Sequence, residues 1–375
     1  MITARQLCII STLLMGLLGC SDSKDQPAPP TQALSYDEAG PYPVANRTLN
    51  IMNNAMGRAL TVELWYPAQG SGSAQVIQDF AADNVELDGL NTSLADNPDN
   101  CVRQATSSSR NLPAAEAPER FPLVIFSHCH DCVRYSFFSM AERLASHGFA
   151  VAAPDHLMNT LFNSGALLSG EFLTVRASDV SAVVDELLIP NSAALPMDLQ
   201  GRFDPARLGV AGHSFGAVTS GRVLQDDDRF QAGFIMAAPI ENPIIPGVTV
   251  DAVAEPTLYM IAQEDNSITE LGNVLMRANF EAAASPSWKV EVTDAGHWSF
   301  SDIAGIVPEF SPGCGDGERQ TNPGEAFTYL DPQLARDVVS SYAVRFFAAH
   351  LRDDEEALAE LGTALVPEVV TVEQR

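Results

Sequence analysis

From Phe121 onward, short unbroken apolar runs alternate with stretches of helical spacing. Pro122–Ser127, Phe149–Ala153, Leu208–Gly212 and Phe234–Ala238 are such runs, and Pro256–Ala262 and Trp288–Thr293 continue the series. A strand that is apolar on both sides is covered on both faces, so the runs predict a mainly parallel sheet between two helical layers. Helical spacing covers Tyr135–His147 and Ser178–Leu188. In the second stretch Val180, Val183, Val184 and Leu187 form one stripe, with Asp179, Asp185 and Glu186 turned away. Ser178 can cap its start, and Pro190 lies just beyond its end. Gln333–Leu351 predicts a final amphipathic helix.

Upstream, Thr48–Ile51 and Ala59–Tyr66 alternate as a strand pair at a sheet edge does. Residues 80–120 are rich in Asn, Asp, Ser and Pro and read as a long surface excursion. No internal repeat is present. The economical division is one α/β domain over residues 37–352, a flexible tether over 20–36 and a loosely held acidic tail over 353–375.

Composition narrows the class. A hydrophobic share of 46% over 375 residues supports a large core and excludes wholesale disorder. The net charge is −27, and lysine occurs only at Lys24 and Lys289, so a nucleic-acid partner is excluded. Met1–Arg5 is positively charged and Leu7–Gly19 is apolar but too short to span a bilayer, which makes residues 1–19 a signal peptide. The following Leu17-Leu18-Gly19-Cys20 resembles the bacterial lipoprotein cleavage box. That resemblance implies a lipidated Cys20 and a membrane anchor. Ser21 replaces the aspartate that signals inner-membrane retention, so the implied location is the cell envelope, as an outer-membrane lipoprotein or a secreted protein.

The chemistry starts at Gly212-His213-Ser214-Phe215-Gly216. This G-x-S-x-G pattern follows an apolar run and precedes a helical stretch, the context of a nucleophile elbow. Ser214 is the candidate nucleophile, at a helix start where backbone N–H groups can stabilise an oxyanion. Folds with such an elbow place the acid and then the histidine after the serine, so only His297 and His350 can be the base. His350 lies inside the predicted last helix. His297 follows the run Trp288–Thr293, at a strand end where catalytic groups collect, and is the candidate. For the acid, Asp265 ends the run Pro256–Ala262 extended to Glu264, and Glu241 and Glu264 compete with it.

The runs Gly40–Leu49, Val62–Ala68, Phe121–His128, Leu144–His156 and Ala211–Gly216 together resemble the platelet-activating-factor acetylhydrolases of the α/β-hydrolase fold, and dienelactone-hydrolase-like polyester or lipid esterases. The resemblance covers most of residues 40–300. It implies a serine carboxylester hydrolase without a cofactor or metal, and places the oxyanion donors at the backbone N–H groups of Phe215 and His130. The sequence departs from that family at Cys129, where a glycine is usual. It also lacks a carboxylate after Ala237-Ala238, where acetylhydrolases proper carry the acid. Asp265 instead resembles the later acid of cutinase-like polyester hydrolases. A serine at 214 separates the chain from true dienelactone hydrolases, whose nucleophile is cysteine.

His128-Cys129-His130-Asp131-Cys132 resembles half a zinc site, but alternation along one loop stops all four ligands from facing one ion. Disulfides among Cys101, Cys129, Cys132 and Cys314 fit better. Because the loops carrying His130 and His297 must both reach Ser214, the favoured pairing joins Cys129 and Cys132 outward, one to Cys101 and one to Cys314. His147 and His156 read as structural. Substrate selection is expected from Leu157–Leu173, with Leu157, Met158 and Phe162 foremost. Pro239–Val250 and Trp298 are further candidates. The expected substrate is a lipid, short-acyl or polyester-type ester. An amidase or peptidase with the same triad, and a non-catalytic surface-binding lipoprotein, are the alternatives.

Overall fold

A computed structural model describes residues 35–375 apart from 74, 96, 98–100 and 118. The signal peptide, Cys20 and nearly all of the tether lie outside the described residues. In chain order the elements are β1 (Val44–Asn53), β2 (Arg58–Pro67), α1 (Asn84–Ala95), β3 (Ser109–Arg110), β4 (Phe121–Ser127) and α2 (Phe138–Ser146). Then follow β5 (Ala150–Pro154), α3 (Gly170–Leu187), β6 (Phe203–His213), α4 (Phe215–Asp226), β7 (Phe230–Met236), β8 (Thr257–Ala262), α5 (Thr269–Ala282) and β9 (Ser287–Val292). The last are β10 (Asp316–Glu318), β11 (Ala326–Thr328), α6 (Pro332–Leu351), α7 (Glu355–Leu361) and β12 (Val370–Gln374).

Ten strands form one sheet in the order β12-β9-β8-β7-β6-β4-β5-β2-β1-β3. Strands β4 to β9 pair in parallel, the β1–β2 hairpin joins β5 antiparallel, and β12 pairs antiparallel with β9. The unbroken apolar runs have the reason their pattern implies. Val124, Phe126, Phe234 and Met236 face a layer with α2 and α6, while Leu123, Ile125, Ile235 and Tyr259 face one with α3, α4 and α5. Full burial of a Val, Leu, Ile, Phe or Met side chain of this kind contributes about 1.5–3 kcal/mol. The central strands meet their expected runs within a few residues, and their carboxyl ends all deliver loops to one edge.

Six expectations change. Helix α3 begins at Gly170, not Ser178, and its cap is Ser169, whose side chain accepts from the Phe172 N–H at 3.2 Å. Its first half hid from the pattern because Arg176 sits on the buried face. Asp179, expected to face solvent, is fully buried beside Asn53, Arg58 and His156.

The excursion before β4 is anchored rather than superficial: Ile77, Phe80 and Leu90 join the core beneath α1. The segment after Arg352 is not loose. Asp354 caps α7, Ala357 and Leu361 bury, and β12 extends the sheet while the acidic side chains stay outside. At the other end Tyr36, assigned to the tether, is buried and bonds Asp354 at 2.9 Å.

The cysteines pair differently from the favoured scheme. Cys101 joins Cys314, and Cys129 joins Cys132. The turn in which the Cys132 N–H reaches the Cys129 carbonyl brings those two Cα atoms to 5.2 Å. The excursion meets the segment after His297 directly, with the Arg103 N–H on the Asp302 carbonyl at 2.9 Å, so Cys101 and Cys314 find each other.

Candidate active site

Strand β6 runs into α4 through Gly212–Gly216. Ser214, between them, has φ 55° and ψ −121°, a conformation costly for a residue with a side chain. Its N–H donates to the Met236 carbonyl on β7 at 2.9 Å, which helps to hold the turn. The two glycines are required by contact. A Cβ on Gly212 would lie 2.0 Å from the Gly216 carbonyl oxygen, and one on Gly216 only 1.8 Å from that of Ser127 at the end of β4. The sharp turn leaves Ser214 partly exposed at the start of α4, where the first N–H groups have no intrahelical acceptor.

His297 lies in the loop after β9 and Asp265 in the loop after β8, both buried. The imidazole Nδ1 is 2.7 Å from Asp265 Oδ2. The other carboxylate oxygen, Oδ1, accepts from the Ser267 N–H at 2.9 Å and the Ile268 N–H at 3.0 Å. Asp265 therefore has one oxygen fixed by the backbone and one for the histidine. With Nδ1–H donating to it, Nε2 is left as the basic nitrogen. His213, next to Ser214, donates its Nε2–H to the His297 carbonyl at 2.8 Å, and the two rings lie 4.6 Å apart. Burial, aided by the neighbouring His297, holds the His213 pKa well below the usual range, so it packs as a neutral ring.

The rival acids and base have other partners. Glu241 is exposed and accepts from the Val250 N–H. Glu264 is 1% exposed and is held by Thr321 and Arg319. Burial raises its pKa, but those hydrogen bonds outweigh it and leave the carboxyl below its ordinary range. His350 packs on Trp288 and Phe346 in α6, and burial pushes its pKa down to about 4.

The loop after β4 brings His130 beside the elbow, its ring 6.2 Å from that of Phe215. The Cys129–Cys132 bridge closes this loop, and Asp131 within it takes φ 52°. The bridge consumes both thiols of the zinc-like motif. Among the described residues no group of three or more His, Cys, Asp or Glu side chains is placed to hold a metal ion.

Of the substrate candidates, Leu157 and Phe162 line a cavity of about 360 Å³ between α1 and the loop after β5, with Val133 in its wall. None of Ser214, His297 and His130 is in that wall. Met158 is exposed. Trp298 does not offer its face to a ligand: it is 5% exposed, stacked on Phe310 at 3.8 Å and nearly perpendicular to the His297 ring.

Sequence reasoning missed a buried polar layer beneath the elbow. His156, read as structural, bonds Ser127 Oγ through Nε2 and Asp179 through Nδ1, both at 3.0 Å. This repeats the Ser-His-Asp connectivity, but all three residues are 0% exposed and no ester can reach them. Arg176 lies in the same layer. The only sequence signal for it is an arginine on the face that Leu173, Ala177 and Val180 bury.

A family model described as platelet-activating factor acetylhydrolase, isoform II, matches residues 31–164 and 177–357. The platelet-activating factor acetylhydrolase of Cavia porcellus is 22% identical over 359 residues, spanning 84% of this chain and 78% of its own. A probable 1-alkyl-2-acetylglycerophosphocholine esterase of Arthroderma benhamiae is 24% identical over 259 residues, spanning 66% of this chain and 65% of its own. Among solved structures, a ferulic acid esterase from Streptomyces cinnamoneus has a TM-score of 0.66 at 22% identity, over 90% of this chain and 97% of that one. That last likeness is one of fold.

Proposed function

We propose that this chain, which belongs to the platelet-activating factor acetylhydrolase isoform II family and is a carboxylic ester hydrolase of small-molecule esters, works through Ser214, His297 and Asp265. The observation that carries the assignment is the 2.7 Å contact of His297 with Asp265 beside an elbow serine. His297 Nε2 takes the Ser214 hydroxyl proton as Oγ attacks the ester carbonyl. The carbonyl π electrons move to oxygen, and the Phe215 and His130 N–H groups stabilise the resulting oxyanion. Collapse expels the alcohol, which leaves with the proton from His297. Water, deprotonated by the same nitrogen, then releases the acid and regenerates Ser214. Asp265 orients the imidazole and stabilises its charged form.

For the acyl group we take a short chain, on the strength of relatives whose names specify acetyl esters. A p-nitrophenyl ester series from acetate to palmitate, with one anilide beside it, tests both parts. The expected result is a kcat/KM that falls as the acyl chain lengthens and no turnover of the anilide. Efficient anilide cleavage would make the protein an amidase, and a maximum at palmitate would make it a long-chain lipase.

Location in a bacterial cell envelope, by a lipid anchor on Cys20, is also our proposal. The Leu-Leu-Gly-Cys sequence supports it, and so do two disulfides, which persist outside a reducing cytoplasm. The mature protein made in a bacterial host should begin at an acylated Cys20 by intact mass. An unmodified mature amino terminus would remove the anchor.

A further inference from the structure

The layer beneath the elbow contains a group that the triad does not use. Arg176 of α3 is fully buried, and its four hydrogen bonds all go to neutral oxygens. Nε donates to Thr219 Oγ1 at 3.0 Å, and Nη2 donates to Ser127 Oγ at 3.1 Å and to the His128 carbonyl. Nη1 donates to Asn159 Oδ1. The guanidinium also lies over the Phe215 ring, 4.6 Å from its centroid. Burial lowers its pKa to about 9, with Asp179 opposing, so it remains charged at neutral pH.

A buried charge without a bonded carboxylate is costly, and for packing alone an apolar side chain of like volume would serve as well or better. The partners indicate what else the arginine does. Thr219 donates to the Phe215 carbonyl at 2.8 Å, so one arm fixes the residue after the nucleophile. The His128 carbonyl lies just ahead of the bridged loop, so a second arm fixes where that loop begins. Asn159 contacts His130 Nδ1 and donates to Asp131 Oδ1 at 3.1 Å, so the third arm reaches the loop's tip.

We propose that Arg176 is the positioning residue that sets the two oxyanion donors, the N–H groups of Phe215 and His130, relative to Ser214. The inference rests on the triad reading above. The planar fork binds four oxygens on α4, β4, the loop after β4 and the loop after β5 at once. Lysine keeps the charge but cannot reproduce the fork.

The test uses the full-length mature protein with Arg176→Lys and Asn159→Ala, each read against p-nitrophenyl acetate and a trifluoromethyl ketone. The ketone forms a hemiketal on Ser214 whose oxygen occupies the oxyanion site. Displaced donors weaken the transition state more than the ground state. Arg176→Lys is therefore expected to lower kcat about 10²-fold with KM within about threefold. Asn159→Ala should lower kcat about tenfold, and ketone affinity should fall in parallel with kcat/KM in both. A merely structural arginine would lower the melting temperature and leave kcat per folded molecule alone. If kcat stays within about threefold of the parent in the folded variants, the proposal falls. Should Arg176→Lys not fold, Asn159→Ala decides. Ser214→Ala separates the two claims: if it still turns over ester, the triad reading fails, whereas an inert Ser214→Ala beside fully active Arg176 and Asn159 variants removes only this inference.

Discussion

Ser214→Ala is expected to lower kcat for ester hydrolysis by on the order of 10⁶-fold and to abolish labelling by a fluorophosphonate probe. The oxygen that forms the acyl bond is removed, while the oxyanion donors and binding surfaces remain and leave a small residual rate. The fold should be unaffected. Position 214 already bears a Cβ at φ 55°, so alanine adds no strain that serine lacks, and the Met236 hydrogen bond uses only its backbone. A melting temperature equal to the parent's, with activity gone, is the expected pair of readings. Continued labelling of the alanine variant at another serine would move the nucleophile elsewhere.

Asp265→Asn should lower kcat by about 10³–10⁴-fold with little change in KM. The mechanism can be read from the two oxygens. The Ser267 and Ile268 N–H groups both point at Oδ1, so the amide of asparagine must keep its carbonyl there. Its NH₂ group then faces His297 Nδ1, which has to accept rather than donate. The imidazole proton shifts to Nε2, and the nitrogen that should take the serine proton is already occupied. Glu241→Gln, on an exposed side chain that caps its own loop, should change kcat by less than about tenfold. If Glu241→Gln is the crippled variant, the acid belongs to the loop after β7.

The sequence made Ser214 and His297 legible because each leaves a local signature. Two glycines flank the serine between a strand and a helix, and only two histidines follow it. The central strands were legible for a related reason, since burial on both faces writes an unbroken apolar run. Arg176 and Asp179 were not, because a polar residue on a buried face looks like the end of a stripe and is satisfied only by residues distant in sequence. That misreading also shortened α3 and turned Asp179 outward. Trp298 as a substrate contact and Glu264 as a rival acid failed for a related reason: Phe310, Arg319 and Thr321 engage them from segments whose docking no periodicity encodes. Cysteine connectivity depends on which loops meet, and four cysteines allow three pairings.

The pairing of β12 with β9 has a consequence for handling and engineering the protein. Without it, Trp288–Val292 would present a row of unpaired backbone donors and acceptors to solvent, a template on which another chain could add a strand. The five-residue β12 takes the edge position in its place, a short strand carrying Glu373 as edge strands that resist further pairing do, and it is pinned where Glu373 meets Lys289 at 2.8 Å and where Arg375 exchanges backbone bonds with Ser287. A protease cut between α7 and β12 would leave the catalytic loops untouched and yet uncover a sticky edge. Cover for the β9 edge thus lies far along the chain from the catalytic loops, in a segment whose acidic composition suggests nothing more than a tail.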